Sequence, residues 1–207
     1  MSPGAEQSIK GSLMLGVVVM LRRHRKQGRI SPEQLTVRLS QGALQMLEEK
    51  VDIGRWYPIQ VFCELLDLDW ELGGRRDPHY MRQEGERAAE RLFQSGIYQQ
   101  LNYAERAERV QARNALIRQA KLITTITGTL YNFLQFEVRL DPDTGNELQI
   151  HYGNAAAFSE ALRYTTEGFM NQINKRQKSS AQWASKRLRP DLVVFTLALP
   201  QRLTSET

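Results

Sequence analysis

The sequence predicts an α+β fold: an N-terminal helical layer packed on a small antiparallel sheet, closing in a hairpin–helix–strand module. Three observations predict it. Apolar residues recur at helical spacing from the N-terminus to about residue 126, with capping signals between the segments. The period then changes to strict alternation on both sides of a turn signal at residues 141–146. One more helical segment and a last apolar run, residues 192–199, complete the chain. The composition, 41% hydrophobic and 25% charged over 207 residues, is that of a folded globular protein. One α+β domain is expected over residues 8–199, with disordered ends at 1–7 and 200–207.

The elements follow in order. Ile9, Leu13, Val17 and Met20 form the stripe of a first helix that ends at Gly28. Ser31-Pro32-Glu33-Gln34 then carries a helix start, with Ser31 as cap, Pro32 at the first helical position and Gln34 completing a capping box. That helix stops near Ser40, and residues 42–50 make another short one. Tyr57-Pro58 opens a helix whose polar residues, Gln60, Glu64, Asp67 and Glu71, form one narrow stripe. Ile59, Phe62, Leu65, Leu66, Leu68, Trp70 and Leu72 fill the rest of its circumference, so neighbours must bury it on several sides. Gly73-Gly74 ends it, and Asp77-Pro78 starts the next by cap-then-proline logic. In that next helix Met81, Gly85, Ala88, Ala89, Leu92 and Phe93 face inward, and the small residues admit a close backbone or a ligand. A long helix spans residues 103–126, with a bend or break at 111–114.

Leu134, Phe136, Val138 and Leu140 alternate with polar residues before the turn, and Leu148, Ile150 and Tyr152 do so after it, which makes an antiparallel hairpin. Asn154 is placed to cap a helix with Phe158, Leu162, Thr165, Phe169 and Ile173 on one face. Gly168 inside that helix marks a tight contact, because glycine there costs ~1 kcal/mol against alanine. A basic loop leads to the closing strand, which pairs with the hairpin.

Several chemistries are excluded. The single cysteine, Cys63, rules out an intramolecular disulfide and any multi-cysteine metal site. The only long apolar run, residues 13–21, is far short of the ~20 residues that span a bilayer. Its charges follow it, unlike those of a signal peptide, so a cytoplasmic location and no transmembrane segment are expected. No phosphate loop, zinc-protease or nucleophile-elbow motif occurs. His24, His79 and His151 fall in separate elements. No catalytic residue, metal or cofactor is expected, and the chain is read as not an enzyme.

The net charge of +5 gathers in two segments. Arg22, Arg23, Arg25 and Lys26 lie in one, and Lys175, Arg176, Lys178, Lys186 and Arg187 in the other. They read either as a helix C-terminus and a solvated loop, or as a site for anions or nucleic acid.

Ile9-Lys10-Gly11-Ser12 before the first helix, Tyr57-Pro58, the segment MRQEGERAAERLFQSG (81–96) and Glu167-Gly168-Phe169 carry a resemblance. The chain resembles a family of about this length that is abundant in myxobacteria. That family is similar in turn to the ligand-binding fold of haem nitric-oxide-binding domains, four-vinyl-reductase domains and TRAPP subunits. Over residues 8–199 the resemblance implies helices over an antiparallel sheet, with a hydrophobic pocket between them. Haem sensors carry Tyr-x-Ser-x-Arg for the haem propionates; this chain has His151-Tyr152-Gly153-Asn154, without that serine or arginine.

Three functional readings follow. The first is a non-catalytic binding or regulatory module for a small apolar ligand or a protein partner, its pocket lined by Phe62, Leu66, Trp70, Gly85, Ala88, Ala89 and Phe169. The second is nucleic-acid or anionic-surface binding through the two basic segments. The third is a homodimer or larger scaffold built through the 103–126 helix.

Overall fold

A computed structural model of the chain describes residues 6–94, 112–142, 145–176 and 179–199. The elements run β1 (Ser8–Lys10), α1 (Gly11–Lys26), α2 (Pro32–Arg38), α3 (Gln41–Glu48), β2 (Trp56–Pro58), α4 (Ile59–Gly74) and α5 (Pro78–Gln94). They continue with α6 (Ala112–Leu130), β3 (Gln135–Leu140), β4 (Glu147–Gly153), α7 (Glu160–Arg176), β5 (Trp183–Arg189) and β6 (Leu192–Ala198). The fold is α+β, as expected. β3, β4, β6 and β5, in that spatial order, form an antiparallel sheet, and β1 pairs with β2 as a separate two-stranded one.

Local chemistry sets most boundaries. Ser31 and Gln34 form the capping box that starts α2, and the Ser40 hydroxyl accepts from Ala43 N to start α3. Asp77 Oδ1 accepts from His79 N at the head of α5. Gly28, at φ +68°, turns the chain after α1. The hairpin has the expected register, with Phe136 opposite Tyr152 and Val138 opposite Ile150. Leu148, Ile150 and Tyr152 are fully buried and lie opposite Leu197, Phe195 and Val193 of β6. Tyr152 also meets Phe136, Phe158 and Phe195 edge-on or tilted, pairs worth about 0.5–1.5 kcal/mol each beyond their burial.

α4 is central: Ile59, Phe62, Leu65, Leu66 and Leu68 are buried, and it packs on α1, α3, α5 and α7. Its polar stripe is engaged rather than merely solvated, since Glu64 accepts from Ser40 N and Glu71 pairs with Arg38 and Arg76.

The structure corrects three expectations, on Ile9, the basic loop and Asn154. Ile9 belongs to β1 and not to the first helical stripe; its strand has only three residues, too few for a periodic signal. The basic loop is strand β5, paired with β6 through a register irregularity between Arg187 and Arg189. Asn154 does not cap α7; it takes φ +58°, and Ser159 Oγ accepts from Leu162 N instead. α4 ends at Gly74, as expected, and Arg75 and Arg76 after it are left-handed. Gly73 and Gly74 serve another purpose, because a Cβ on either would fall within 2.6 Å of Tyr80. Of the 103–126 helix, residues 103–111 lie outside the described residues, as does the start of the bend expected at 111–114; α6 is helical from Ala112 to Leu130.

Candidate functional site

The expected pocket residues gather where α4, α5 and α7 meet. Phe62, Leu66 and Ala89 are buried, and Trp70, Ala88 and Phe169 are half-buried. α5 and α7 make the most extensive helix–helix contact of the described residues, through glycine on each side. A Cβ added at Gly85 would stand 1.9 Å from Thr165 O, and one at Gly168 would stand 1.9 Å from Arg82 O. The smallness of these residues therefore serves close backbone approach. Trp70 is held by its indole N–H donating to Asp77 O at 2.8 Å and by an edge contact with Tyr164. A groove of about 500 Å³ on the outer side of α5 and α7 is polar, lined by Gln83, Glu86, Arg87, Glu90, Arg91, Gln94 and Gln172.

The basic segments are largely engaged within the chain. Arg22 donates to Leu47 O and Glu49 O at the end of α3, and Arg25 pairs with Glu48. Arg23 and Lys26 are exposed. Lys175 and Arg176 pair with Glu86 and Glu90 across the α5–α7 seam, at 2.6 and 3.1 Å. Arg187 pairs with Glu160 and donates to the carbonyls of Ala155, Phe158 and Pro190. Arg163, buried although charged, bonds Glu160 and both oxygens of Ser185, whose hydroxyl donates to Glu167. Glu167 also takes Arg82 of α5. A connected ionic chain thus ties α5, α7 and β5 together. Lys186 is exposed on β5, and Lys178 lies outside the described residues.

A second polar cluster was missed from sequence. His24 and Asp69 are buried side by side, with His24 Nε2 2.9 Å from Asp69 Oδ1. Arg29 Nη1 lies 3.4 Å from His24 Nδ1, and since arginine can only donate, this favours the tautomer with its proton on Nε2. Tyr80 donates to Asp69 at 3.4 Å, and buried Glu84 stands nearby, itself paired with Arg87. Burial pushes the Asp69 carboxyl above the usual aspartate range, opposed by its hydrogen bond from His24. Burial and the neighbouring carboxylates likewise raise the Tyr80 phenol. Two signals were available in the sequence. Asp69 is off the polar stripe of α4, among apolar neighbours, and His24 continues the buried series Met14, Val17, Leu21 of α1.

These arrangements define a class: an α+β scaffold with a packed helix seam that is closed by ion pairs. No protein-family model matches the sequence, and no curated protein matches it. Among solved structures the chain is similar to H-NOX proteins. A mutant H-NOX protein from K. algicida with unliganded Fe(II) superposes with TM-score 0.61 at 16% identity, covering 94% of this chain and 98% of that one. An H-NOX protein from S. oneidensis in the Fe(II)NO ligation state gives 0.57 at 12% identity, over 93% and 100%. A mutant H-NOX from T. Tengcongensis gives 0.57 at 11%, over 93% and 98%. At these identities the likeness establishes the fold, which is that of the haem-nitric-oxide-binding domain.

Among the described residues, the side chains do not fit a haem. Iron needs a histidine or comparable donor aimed into the interior. His24 is committed to Asp69, His79 is exposed at the head of α5, and His151 lies on the face of β4 opposite Tyr152, bonded to Gln149. The Cys63 thiol is raised by burial and donates to Ala157 O, which disfavours the thiolate. The Tyr152 hydroxyl is buried without a hydrogen-bond partner, beside the rings of Phe158 and Phe195. No group of three or more metal-ligating side chains occurs among the described residues. No described helix is long and apolar enough to cross a membrane.

Proposed function

We propose that this chain is a non-catalytic binding module that uses the H-NOX-like scaffold to engage a protein partner. The observation that carries this reading is the α5–α7 seam: the Thr165 carbonyl fills the space over Gly85 that a buried ligand needs. Charged side chains at the seam are spent on one another, as in the chain Arg82–Glu167–Ser185–Arg163–Glu160–Arg187. The buried carboxylates Asp69 and Glu84 are engaged by His24, Tyr80 and Arg87, which supports binding over catalysis. Arg25, Lys175, Arg176 and Arg187 of the basic segments pair with Glu48, Glu86, Glu90 and Glu160, which weakens them as a track for a phosphate backbone.

Native mass spectrometry of the purified chain tests this reading. The expected mass is that of the bare polypeptide. A retained small molecule would sink the protein-partner reading in favour of an apolar ligand among Phe62, Leu66, Trp70, Gly85, Ala88, Ala89 and Phe169.

A further inference from the structure

The protein-partner reading above has no surface assigned to it, and the first helix supplies one. α1 divides into two faces. Met14, Val17, Val18, Leu21 and His24 are buried. Ser12, Leu15, Val19, Arg23 and Lys26 occupy the opposite side and are exposed. Val19, at the middle of that outer face, is 45% exposed, and Leu15 one turn before it is 37% exposed. A helix side turned only to water is ordinarily polar.

Gly16 is the second observation. A glycine inside a helix is unfavourable unless something must approach its backbone closely. For Gly85 and Gly168 that something is visible: each receives a carbonyl of the crossing helix. A Cβ added at Gly16 meets nothing within 4 Å. Gly16 adjoins Leu15 and Val19, so the open space above it belongs to the same apolar surface.

Charge is the third. α1 carries no acidic residue. Arg22 and Arg25 are tied to α3, whereas Arg23 and Lys26 make no hydrogen bond or ion pair among the described residues. At the other end of the helix, the loop at residues 52–55 sits on Gly11 and presents exposed Ile53, and Trp56 at the start of β2 is exposed with Lys10 Nζ 4.1 Å above its ring.

We infer that the outer face of α1 docks an acidic amphipathic helix of a partner protein. The apolar side of that helix covers Leu15 and Val19, its backbone approaches Gly16, and its carboxylates meet Arg23 and Lys26. A second copy of α1 fits poorly, because α1 carries no carboxylate to meet Arg23 and Lys26 of the other copy. An anionic membrane would use the cations but gains nothing from a helical glycine, and two half-exposed aliphatic side chains are little to insert.

The test titrates the isotope-labelled full chain with a synthetic amphipathic peptide of about five helical turns, leucine and alanine on one side and glutamate along the flanks. Amide shifts should map to residues 12–26 and 52–56 and fade with added salt. Val19→Asp and Gly16→Leu should each weaken binding about tenfold or more, with urea unfolding showing both variants folded. A lysine-for-glutamate peptide should not bind. The surface is wrong if shifts are absent or centre away from α1, or if Gly16→Leu binds as well as the parent. Binding only by phosphatidylserine vesicles, or a concentration-dependent dimer broken by Val19→Asp, would replace the partner helix by a membrane or a second copy. Shifts centred elsewhere would leave the binding-module reading intact. A small molecule retained in mass spectrometry would overturn that reading and leave the α1 result standing.

Discussion

The α5–α7 seam and the outer face of α1 use the same residue, a mid-helix glycine, in opposite settings. At the seam Gly85 and Gly168 each sit under a carbonyl of the other helix, 1.9 Å from where a Cβ would be. Arg82–Glu167, Lys175–Glu86 and Arg176–Glu90 close the crossing along its length. On α1, Gly16 faces open space, Leu15 and Val19 are half-exposed, and the Arg23 and Lys26 side chains lie beyond them without partners among the described residues. The first contact is complete within the chain; the second has one half. A glycine with no intramolecular reason thus separates a finished packing surface from an unfinished one, where hydrophobicity alone would not.

The sharpest break of the comparison is to put a side chain at the seam. Gly168→Val should cost about 4–5 kcal/mol, or prevent folding, because the obstacle is the Arg82 backbone and not a movable side chain. Urea unfolding measures it, and a loss under 1 kcal/mol would mean that the helices do not cross so closely. Removing the seam's buried charge comes next. Glu167→Ala should destabilise by about 2–3 kcal/mol, below the 3–5 of a fully buried pair because Arg82 keeps some contact with water.

At the open face the same kind of substitution should act in the other direction. Gly16→Ala is expected to stabilise the chain by about 1 kcal/mol, by restricting the unfolded state and improving helix propensity, and chemical denaturation checks the sign. Last is the inner side of α1, where His24 meets Asp69. Burial raises the Asp69 carboxyl, so the folded chain holds this proton more tightly than the unfolded one. The stabilisation is present in acid, below the unfolded value, and is lost as pH rises through the raised folded value. Relative to Asp69→Asn, the parent should therefore lose stability as pH climbs from the ordinary aspartate range, and parallel melting curves across that range would refute the assignment.

Much of the architecture was readable before any coordinates. The capping box at Ser31, the Asp77 cap and the Leu148-Ile150-Tyr152 alternation depend on neighbours within a few residues, and each element formed where those signals lie. Gly168 announced a tight contact, and the Arg82 carbonyl is that contact. β1 and β2 were invisible because three residues carry no period. β5 was read as a loop because Lys186, Arg187 and Arg189 mask an alternation whose inward members, Ser185 and Arg187, are polar and satisfied by α7.

What the sequence determined by itself was most of the helices, the β3–β4 hairpin and their order, because propensity and capping are local. Pairing was decided only in three dimensions. Whether an arginine is free or spent on a glutamate more than eighty residues away, as with Arg82 and Glu167, depends on which helices cross and at what distance. The same holds for glycine: Gly16 and Gly168 look alike along the chain, and only the packed helices show that one is covered by its own protein and the other is not.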